Sequence, residues 1–332
     1  MSRGDPIRRR GILLLKIAVT VLLCAVIVWK ADWAAVGAGF RAADLPLIGV
    51  VFACMVACVT ISAWKWKLLL SIHGARLPFN RLHRYYFIAM FFNNFLPTSI
   101  GGDGYRIYKT LDNQRSKTAA VLAVFMERLS GIASLLVIGV VCGAIGYFQD
   151  GHPLSRLALY AGVVGAAVGL PLLAMLIHPR TQRWIRSRPR LPGVIRSALE
   201  HLDDYGRRPR LSALVVLVSF GFHLFTLAWW LLLVRALGGS LSLTDLAVVA
   251  AVLSIVAVIP LSINGIGLVD GSFIYLSGQF GLDYDTALMF MLAQRALLIP
   301  ISLAGGLLYL AQRDAPAPGS VPGAAGVTEA ER

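Results

Sequence analysis

Two arginines lie inside stretches that are otherwise apolar, and they are the residues with the most specific chemistry in this sequence. Arg128 lies in Thr118–Phe148 and Arg295 lies in Thr286–Leu310. Each is about ten residues into its stretch, roughly 15 Å along a helix. A charge at that depth is costly and predicts a function and a partner. The planar guanidinium donates paired hydrogen bonds to phosphate, so we expect the two arginines to bind one anionic group between them.

Acidic residues near these arginines allow a second interpretation. Asp103 and Glu127 can pair with the arginines when no ligand is bound and release them afterwards. Alternatively, ion pairs to Asp103 or Asp270 are purely structural and hold short segments in place. Arg106 either belongs to the same site or is only a cytoplasmic charge that sets the topology.

A glycine-rich break precedes each arginine, one after Pro97 and the other after Pro260. Proline disrupts a helix, glycine permits non-helical backbone, and the amides opened there can bind an anion. The residues of the two breaks that we expect at a binding site are Asn93, Asn94, Gly101, Gly102, Asp103, Asn264, Gly265, Gly267 and Asp270. The paired asparagines either cap backbone or contact a headgroup, and the glycines are needed first for the fold of the breaks.

No catalytic, nucleotide-binding or metal-binding pattern accompanies these residues, so we expect neither an enzyme nor a cofactor. The segment Gly101–Gly104 lacks the lysine of a phosphate-binding loop. The four cysteines lie in apolar stretches and are expected to be packing residues. Five histidines are scattered and are expected to form no set of metal ligands: His73, His83, His152, His178 and His201.

The composition predicts an all-α polytopic membrane protein. Of 332 residues, 57% are hydrophobic and 14% charged, and the mean hydropathy is +0.72. Soluble domains carry about 25% charged residues. Trp64-Lys65-Trp66-Lys67 is typical of an anchor at the membrane interface. Six stretches are long enough to span a bilayer: Ile12–Trp29, Leu45–Ala63, Thr118–Phe148, Leu157–Ile177, Leu211–Val234 and Thr286–Leu310.

The net charge of +14 is concentrated at the ends of these stretches, which indicates membrane topology rather than binding of nucleic acid. The distribution predicts cytoplasmic N- and C-termini in a cytoplasmic (inner) membrane. Residues 178–210 carry nine arginines and are expected to form a basic cytoplasmic loop. Part of that loop, Val194–Tyr205, has the pattern of an amphipathic helix on the inner leaflet.

Two further apolar segments are too short to span a bilayer as helices. Tyr85–Pro97 has basic flanks on both sides, whereas the flanks of Leu246–Phe280 contain neither Lys nor Arg. We therefore expect two oppositely oriented re-entrant helical hairpins, the first opening inward and the second outward. From proline to arginine the separation is 31 residues in one and 35 in the other. This predicts a pseudo-inverted repeat with a site near the middle of the membrane.

The expected domain organisation follows from this repeat. Residues 1–310 form a single membrane domain, with one half at about 10–148 and the other at about 157–310. Residues 311–332 are rich in Pro, Gly and Ala and are expected to form a disordered cytoplasmic tail.

The motif Asn93-Asn94-Phe95-Leu96-Pro97, followed by Gly101-Gly102-Asp103-Gly104-Tyr105-Arg106, Glu127-Arg128 and the glycines after Pro260, resembles a known family. It is similar to the lysylphosphatidylglycerol synthase transmembrane region, also called the flippase-like domain. That family includes the membrane half of the multiple peptide resistance factor, which flips aminoacylated phosphatidylglycerol. Because only a short tail follows Leu310, the resemblance implies translocation of a lipid without its synthesis.

The leading hypothesis is therefore a flippase or transporter of an anionic or phosphate-bearing lipid, including a polyprenyl-phosphate-linked one. The partners expected are membrane lipids with an anionic headgroup. Two alternatives stay open: a subunit that presents a lipid to a separate lipid-modifying enzyme, and a scaffold that does not transport. The sequence leaves the oligomeric state undetermined.

Overall fold

All regular structure is helical in the part of the chain that the computed structural model describes, namely residues 6–96, 101–111, 117–177, 193–259 and 261–313. The predicted all-α class is therefore confirmed. In chain order the helices are α1 (Pro6–Lys30), α2 (Trp33–Ala42), α3 (Leu45–Ile72), α4 (Phe79–Phe95), α5 (Gly101–Thr110), α6 (Lys117–Asp150), α7 (Pro153–Ile177), α8 (Gly193–Arg207), α9 (Pro209–Ala236), α10 (Leu243–Val258), α11 (Leu268–Gly278) and α12 (Tyr284–Arg313).

Four of the described helices are long and apolar enough to cross a membrane: α3, α6, α9 and α12. A fifth span results if α1 and α2, which meet at a bend of 79°, are counted together. The predicted span Leu157–Ile177 falls in α7, and many of its side chains lie outside the described residues. Large apolar side chains face outward, with Leu217 67% and Leu307 69% exposed, as expected where lipid is the solvent. The chain is a multi-pass membrane protein.

Two runs of four helices correspond in order and in length. The first run is α3 to α6, with 28, 17, 10 and 34 residues, and the second is α9 to α12, with 28, 16, 11 and 30. In each run a long apolar helix is followed by a shorter helix, a break, a very short helix and another long helix. We call these runs the first and the second unit.

In each unit, the shorter helix before the break packs on the last long helix of the other unit. Helix α4 of the first unit packs on α12 of the second, and α10 of the second unit packs on α6 of the first. The leading helices α3 and α9 pack on each other. Each of these contacts has a counterpart with the roles of the units reversed, which is the pattern that the predicted pseudo-inverted repeat requires.

Part of the core of the bundle lies within the second unit, where α9, α11 and α12 pack together. Phe273 of α11 and Phe290 of α12 are fully buried and stack with their ring centroids 4.5 Å apart. Trp230 of α9 meets both rings edge-on. These aromatic contacts hold the very short helix α11 against the two long helices of its own unit.

Several predicted boundaries were wrong. Helix α3 continues to Ile72 rather than ending near Ala63, because no proline or glycine interrupts it before Gly74. Helix α2 was not predicted; Asp32 caps it by accepting hydrogen bonds from the amides of Ala34 and Ala35. The predicted amphipathic helix in the basic loop corresponds to α8.

Three expectations concern residues outside the described part of the chain. The breaks were assigned to Pro97 and Pro260, and neither residue is described. Most of the predicted cytoplasmic tail also lies outside the described residues, which end with α12 at Arg313.

The contact between α12 and α4 depends on a glycine. A Cβ atom on Gly305 would lie 2.0 Å from the carbonyl oxygen of Phe87, so Gly305→Ala must separate the two helices. We expect this change to lower the free energy of unfolding by about 1–3 kcal/mol. The measurement is denaturant-induced unfolding of the purified protein in detergent.

Gly221→Ala is the matched control, since a Cβ on Gly221 of α9 meets no atom within 4 Å. It should leave stability unchanged or raise it by up to about 1 kcal/mol through better helix propensity. Equal effects of the two changes would show that the close approach of α4 and α12 does not matter for stability.

Candidate functional site

The start of α5 places the first group of predicted residues. The amide of Gly102 donates to Oδ1 of Asn93 at 2.9 Å, which ties α5 to the end of α4. A Cβ on Gly102 would lie 2.1 Å from the carbonyl oxygen of Ala89, so only glycine allows this approach. The asparagine therefore caps backbone, one of the two roles predicted for it. Asp103 then falls in the first turn of α5, which favours an anionic side chain.

Asp103, Arg106 and Glu127 form a buried network. Nη2 of Arg106 donates to Oδ1 of Asp103 at 2.7 Å, and Nη1 of Arg106 donates to Oε2 of Glu127 at 2.6 Å. The three residues are only 4–6% exposed. The prediction that Arg106 is only a topology charge is wrong, because such a charge lies in water and this one is enclosed between two carboxylates.

Three residues that the sequence analysis did not assign to the site complete its walls. The guanidinium of Arg106 lies 4.6 Å from the ring centre of Tyr86 and 5.0 Å from that of Trp66. The hydroxyl of Tyr86 donates to Oε1 of Glu127 at 2.9 Å, and Nζ of Lys65 donates to the carbonyl oxygen of Glu127 at 3.2 Å.

Lys65 and Trp66 were predicted to be interface anchors, which is wrong. Lys65 is 5% exposed and Trp66 is fully buried, because α3 continues well past them. The sequence contained a signal for this burial. Lys65 is followed by further apolar residues, whereas a charge that anchors a helix at the interface comes at its end.

Arg128 is the exposed member of this cluster. Its Nε donates to Oδ2 of Asp103 at 2.7 Å, and Nη2 contacts the same oxygen. Its side chain is 53% exposed, whereas that of Asp103 is 8% exposed. A polar cavity of about 130 Å³ opens beside it, lined by Tyr86, Ala89, Met90, Asn93, Asp103, Arg106, Glu127 and Arg128. This guanidinium can therefore meet a ligand while Asp103 stays buried.

The second unit repeats the exposed pair. Arg295 donates to both carboxylate oxygens of Asp270, with the shortest distances at 2.8 Å, and its side chain is 35% exposed. Asp270 also accepts from the amide of Gly267 at 2.9 Å at the start of α11. Aspartate and arginine are 25 residues apart in both units. This equal spacing is readable in the sequence, although the repeat was first measured from the prolines.

The rest of the charged network is absent from the second unit. Asp270 and Arg295 each lie 167 residues after their counterparts, and the same offset places Phe273 opposite Arg106 and Gln294 opposite Glu127. Phe273 is fully buried in the aromatic core. Each unit thus has one exposed pair of aspartate and arginine, but only the first unit also has a second carboxylate and a buried arginine.

Asn264 joins the two breaks. Its Nδ2 donates to the carbonyl oxygens of Asn93 at 3.0 Å, Asn94 at 3.3 Å and Leu96 at 3.2 Å, the last acceptors of α4. Asn264, Gly265 and Gly267 all have positive φ, of 50°, 72° and 78°. The left-handed backbone directs the amide across to the first unit. This contact brings the predicted residues of both breaks together.

The predicted residues therefore form two clusters joined by this contact. Arg128 and Arg295 are each bonded to the aspartate of their own unit, so the single phosphate between them stays a prediction. Asn94 donates to the hydroxyl of Ser302 on α12 at 3.1 Å. Gly101, the first residue of α5, lies against the side chain of Leu96.

Two of the histidines that were expected to form no set of metal ligands lie close together. His73 and His201 are far apart in the sequence, yet they lie next to each other with Asp204 in an arrangement that can hold a metal ion. The end of α3 and one face of α8 bring them together, which no local spacing reveals.

Comparison with known families supports the resemblance first seen in the motifs. A family model described as "Lysylphosphatidylglycerol synthase TM region" matches residues 13–306, which include the first unit, the second unit up to residue 306 of α12, and both clusters. A comparison with curated proteins gives no match.

The difference in burial between Arg106 and Arg128 predicts different costs of removal. Arg106→Gln leaves two buried carboxylates without their common cation, so we expect a loss of about 3–5 kcal/mol in the free energy of unfolding. Arg128→Gln leaves Asp103 paired with Arg106 and should cost at most about 1 kcal/mol. Denaturant-induced unfolding of both variants in detergent measures the difference. Equal losses would mean that Arg128 is as structural as Arg106.

Proposed function

The chain belongs to the lysylphosphatidylglycerol synthase TM region family, and on that premise we propose that it carries an anionic, phosphate-bearing lipid across the cytoplasmic membrane. The headgroup binds at Arg128 and Arg295, while the acyl chains stay in the bilayer. The observation that carries the proposal is the half-exposed arginine in each unit, held by a buried aspartate next to a break in the helices. Such breaks in paired repeats are where transporters bind their substrates.

The first cluster allows Arg128 to exchange its carboxylate partner for a ligand. Asp103 accepts hydrogen bonds from both Arg106 and Arg128. If Arg128 turns to a phosphate, Asp103 keeps Arg106 as its partner, so no buried charge is left unpaired. The phosphate then gains the charge-assisted hydrogen bonds that the guanidinium fork provides.

The second cluster differs in this respect. Asp270 has Arg295 and the amide of Gly267 as its hydrogen-bond donors, and the position that matches Arg106 is apolar. Release of Arg295 therefore costs more than release of Arg128. We propose that the headgroup binds first at Arg128 and that the pair Asp270–Arg295 opens only while the lipid crosses.

The short helices on either side of each break are proposed to be re-entrant hairpins. Helices α4 and α10 have 17 and 16 residues, about 25 Å, which is less than the hydrocarbon core of about 30 Å. The bond from Asn264 to the end of α4 supports hairpins whose tips meet at one depth. With six spans and hairpins of opposite orientation, the two clusters open to opposite sides of the membrane.

Movement of the lipid is proposed to be downhill or coupled to an ion. Glu127 and Asp103 are the groups that can carry a proton, since both are buried carboxylates in contact with the cavity beside Arg128. In the resting arrangement Arg106 donates to both carboxylates, and Lys65 donates to the backbone carbonyl of Glu127.

Loss of the exposed arginines should slow transport strongly. The test follows fluorescent phosphatidylglycerol and a fluorescent polyprenyl phosphate in proteoliposomes, with dithionite reporting the outer leaflet. For Arg128→Ala/Arg295→Ala we expect the rate to fall roughly 10- to 100-fold, because a hydrogen bond to a charged group contributes about 1.5–3 kcal/mol.

The control for this assay is Arg235→Ala, which removes an exposed arginine in the last turn of α9. It should transport at the rate of the unaltered protein. If the unaltered protein moves neither lipid, or the double variant matches the control, transport through these arginines is excluded. The first outcome favours the scaffold or the subunit that presents a lipid to a separate enzyme.

Cysteine labelling tests the hairpins. In a background without Cys24, Cys54, Cys58 and Cys142, we expect Arg81→Cys and Lys109→Cys to react with an impermeant maleimide from the same side. Ser240→Cys and Asp283→Cys should react only from the other side, because they flank the second hairpin. Labelling of Arg81→Cys and Lys109→Cys from opposite sides would mean that α4 and α5 together form a span.

A further inference from the structure

A compact group of polar side chains lies outside the arginine clusters, where α3 ends and α8 packs beside it. His73 is the C-cap of α3 and is fully buried. His201 and Asp204 are three residues apart on α8, so they share one face of that helix. One potential ligand atom from each of the three residues lies within 4.8 Å of the others.

The distances match those of a metal site. Nδ1 of His73 is 3.2 Å and Nδ1 of His201 is 3.3 Å from the same oxygen, Oδ2 of Asp204. A tetrahedral zinc ion with ligand bonds of about 2.0–2.2 Å separates its donors by roughly 3.4 Å. Two of the three donor separations therefore already have the required length.

The surroundings provide the support that a metal-bound histidine needs. The other ring nitrogen of His73, Nε2, lies 3.1 Å from the hydroxyl of Tyr205. A bond at the second nitrogen fixes the orientation and the tautomer of a ligating imidazole. Tyr205 also packs against the buried apolar cluster that contains Leu69 and Leu70 of α3, which helps to set its position.

Both histidine Nδ1 atoms lie within hydrogen-bond distance of one oxygen of the Asp204 carboxylate. Without a metal ion, the same contacts form a hydrogen-bonded clasp between α3 and α8. Only binding of a metal distinguishes a metal site from such a clasp.

We propose that His73, His201 and Asp204 form a binding site for a divalent transition metal, with zinc as the best fit. Two imidazoles and one carboxylate suit zinc or cobalt and do not suit magnesium or calcium, which prefer oxygen ligands alone. Three protein ligands leave the fourth position for water. The bound ion fastens α8 to the helix that carries Lys65 and Trp66, two turns or more before His73.

Titration with cobalt tests the proposal directly, because tetrahedral Co²⁺ has strong visible absorption that octahedral Co²⁺ in water lacks. The full chain, purified in detergent without a histidine tag and treated with a chelator, is titrated with Co²⁺ and then with Zn²⁺. We expect one Co²⁺ per chain, a tetrahedral spectrum, and its displacement by Zn²⁺.

Three variants and one control assign the ion to these residues. Tyr205→Phe should weaken binding roughly 10- to 100-fold, the usual effect of losing a group that orients a ligand. Loss of a ligand in His201→Ala or Asp204→Asn should weaken it more. His152→Ala is the matched control, since His152 bonds to the carbonyl oxygen of Gln279 and should leave binding unchanged.

Unfolding of each variant without metal separates folding from binding. His201→Gln replaces His201→Ala if the latter does not elute as a single species, since it keeps a polar side chain at that position. Absence of saturable binding to the unaltered protein would leave only a hydrogen-bonded clasp. Equal affinity of Asp204→Asn, His201→Ala and the control would also overturn the proposal.

Discussion

Asp103 is a buried carboxylate that accepts hydrogen bonds from two arginines, and the arrangement of the first unit depends on keeping that charge paired. An unpaired charge at this depth would cost several kcal/mol. Both donors must therefore reach Asp103 from the very short helix α5 and the long helix α6. The close approach of α5 to α4, possible only with Gly102, fixes the aspartate where both can reach it.

The second unit pairs its buried aspartate with fewer groups. Asp270 is paired with Arg295 and capped by a backbone amide, and the neighbouring positions are filled by an aromatic ring and an uncharged amide. Phe273, at the position that matches Arg106, stacks on Phe290 and pairs with no carboxylate. The two units thus differ in the number of charged groups that accompany the exposed pair of aspartate and arginine.

Helix α3 links the features that lie far apart in the sequence. It packs on α9 at the centre of the bundle, supplies Lys65 and Trp66 to the arginine network and ends at His73 against α8. Helix α8 and the arginine network therefore contact the same helix, about two turns apart.

Composition and charge by themselves determined the helical class and the membrane environment, since these depend on the number and spacing of apolar and charged residues. The motif around Asn93 and Gly101 indicated the family. The sequence also singled out Arg128 and Arg295 and offered Asp103 and Asp270 as their partners, and the structure pairs them at a separation of 25 residues in both units. Only the tertiary structure decided that Lys65 and Arg106 are buried and that His73 meets His201. The physical reason is that burial and long-range pairing depend on which helices pack together. Local spacing does not record those contacts.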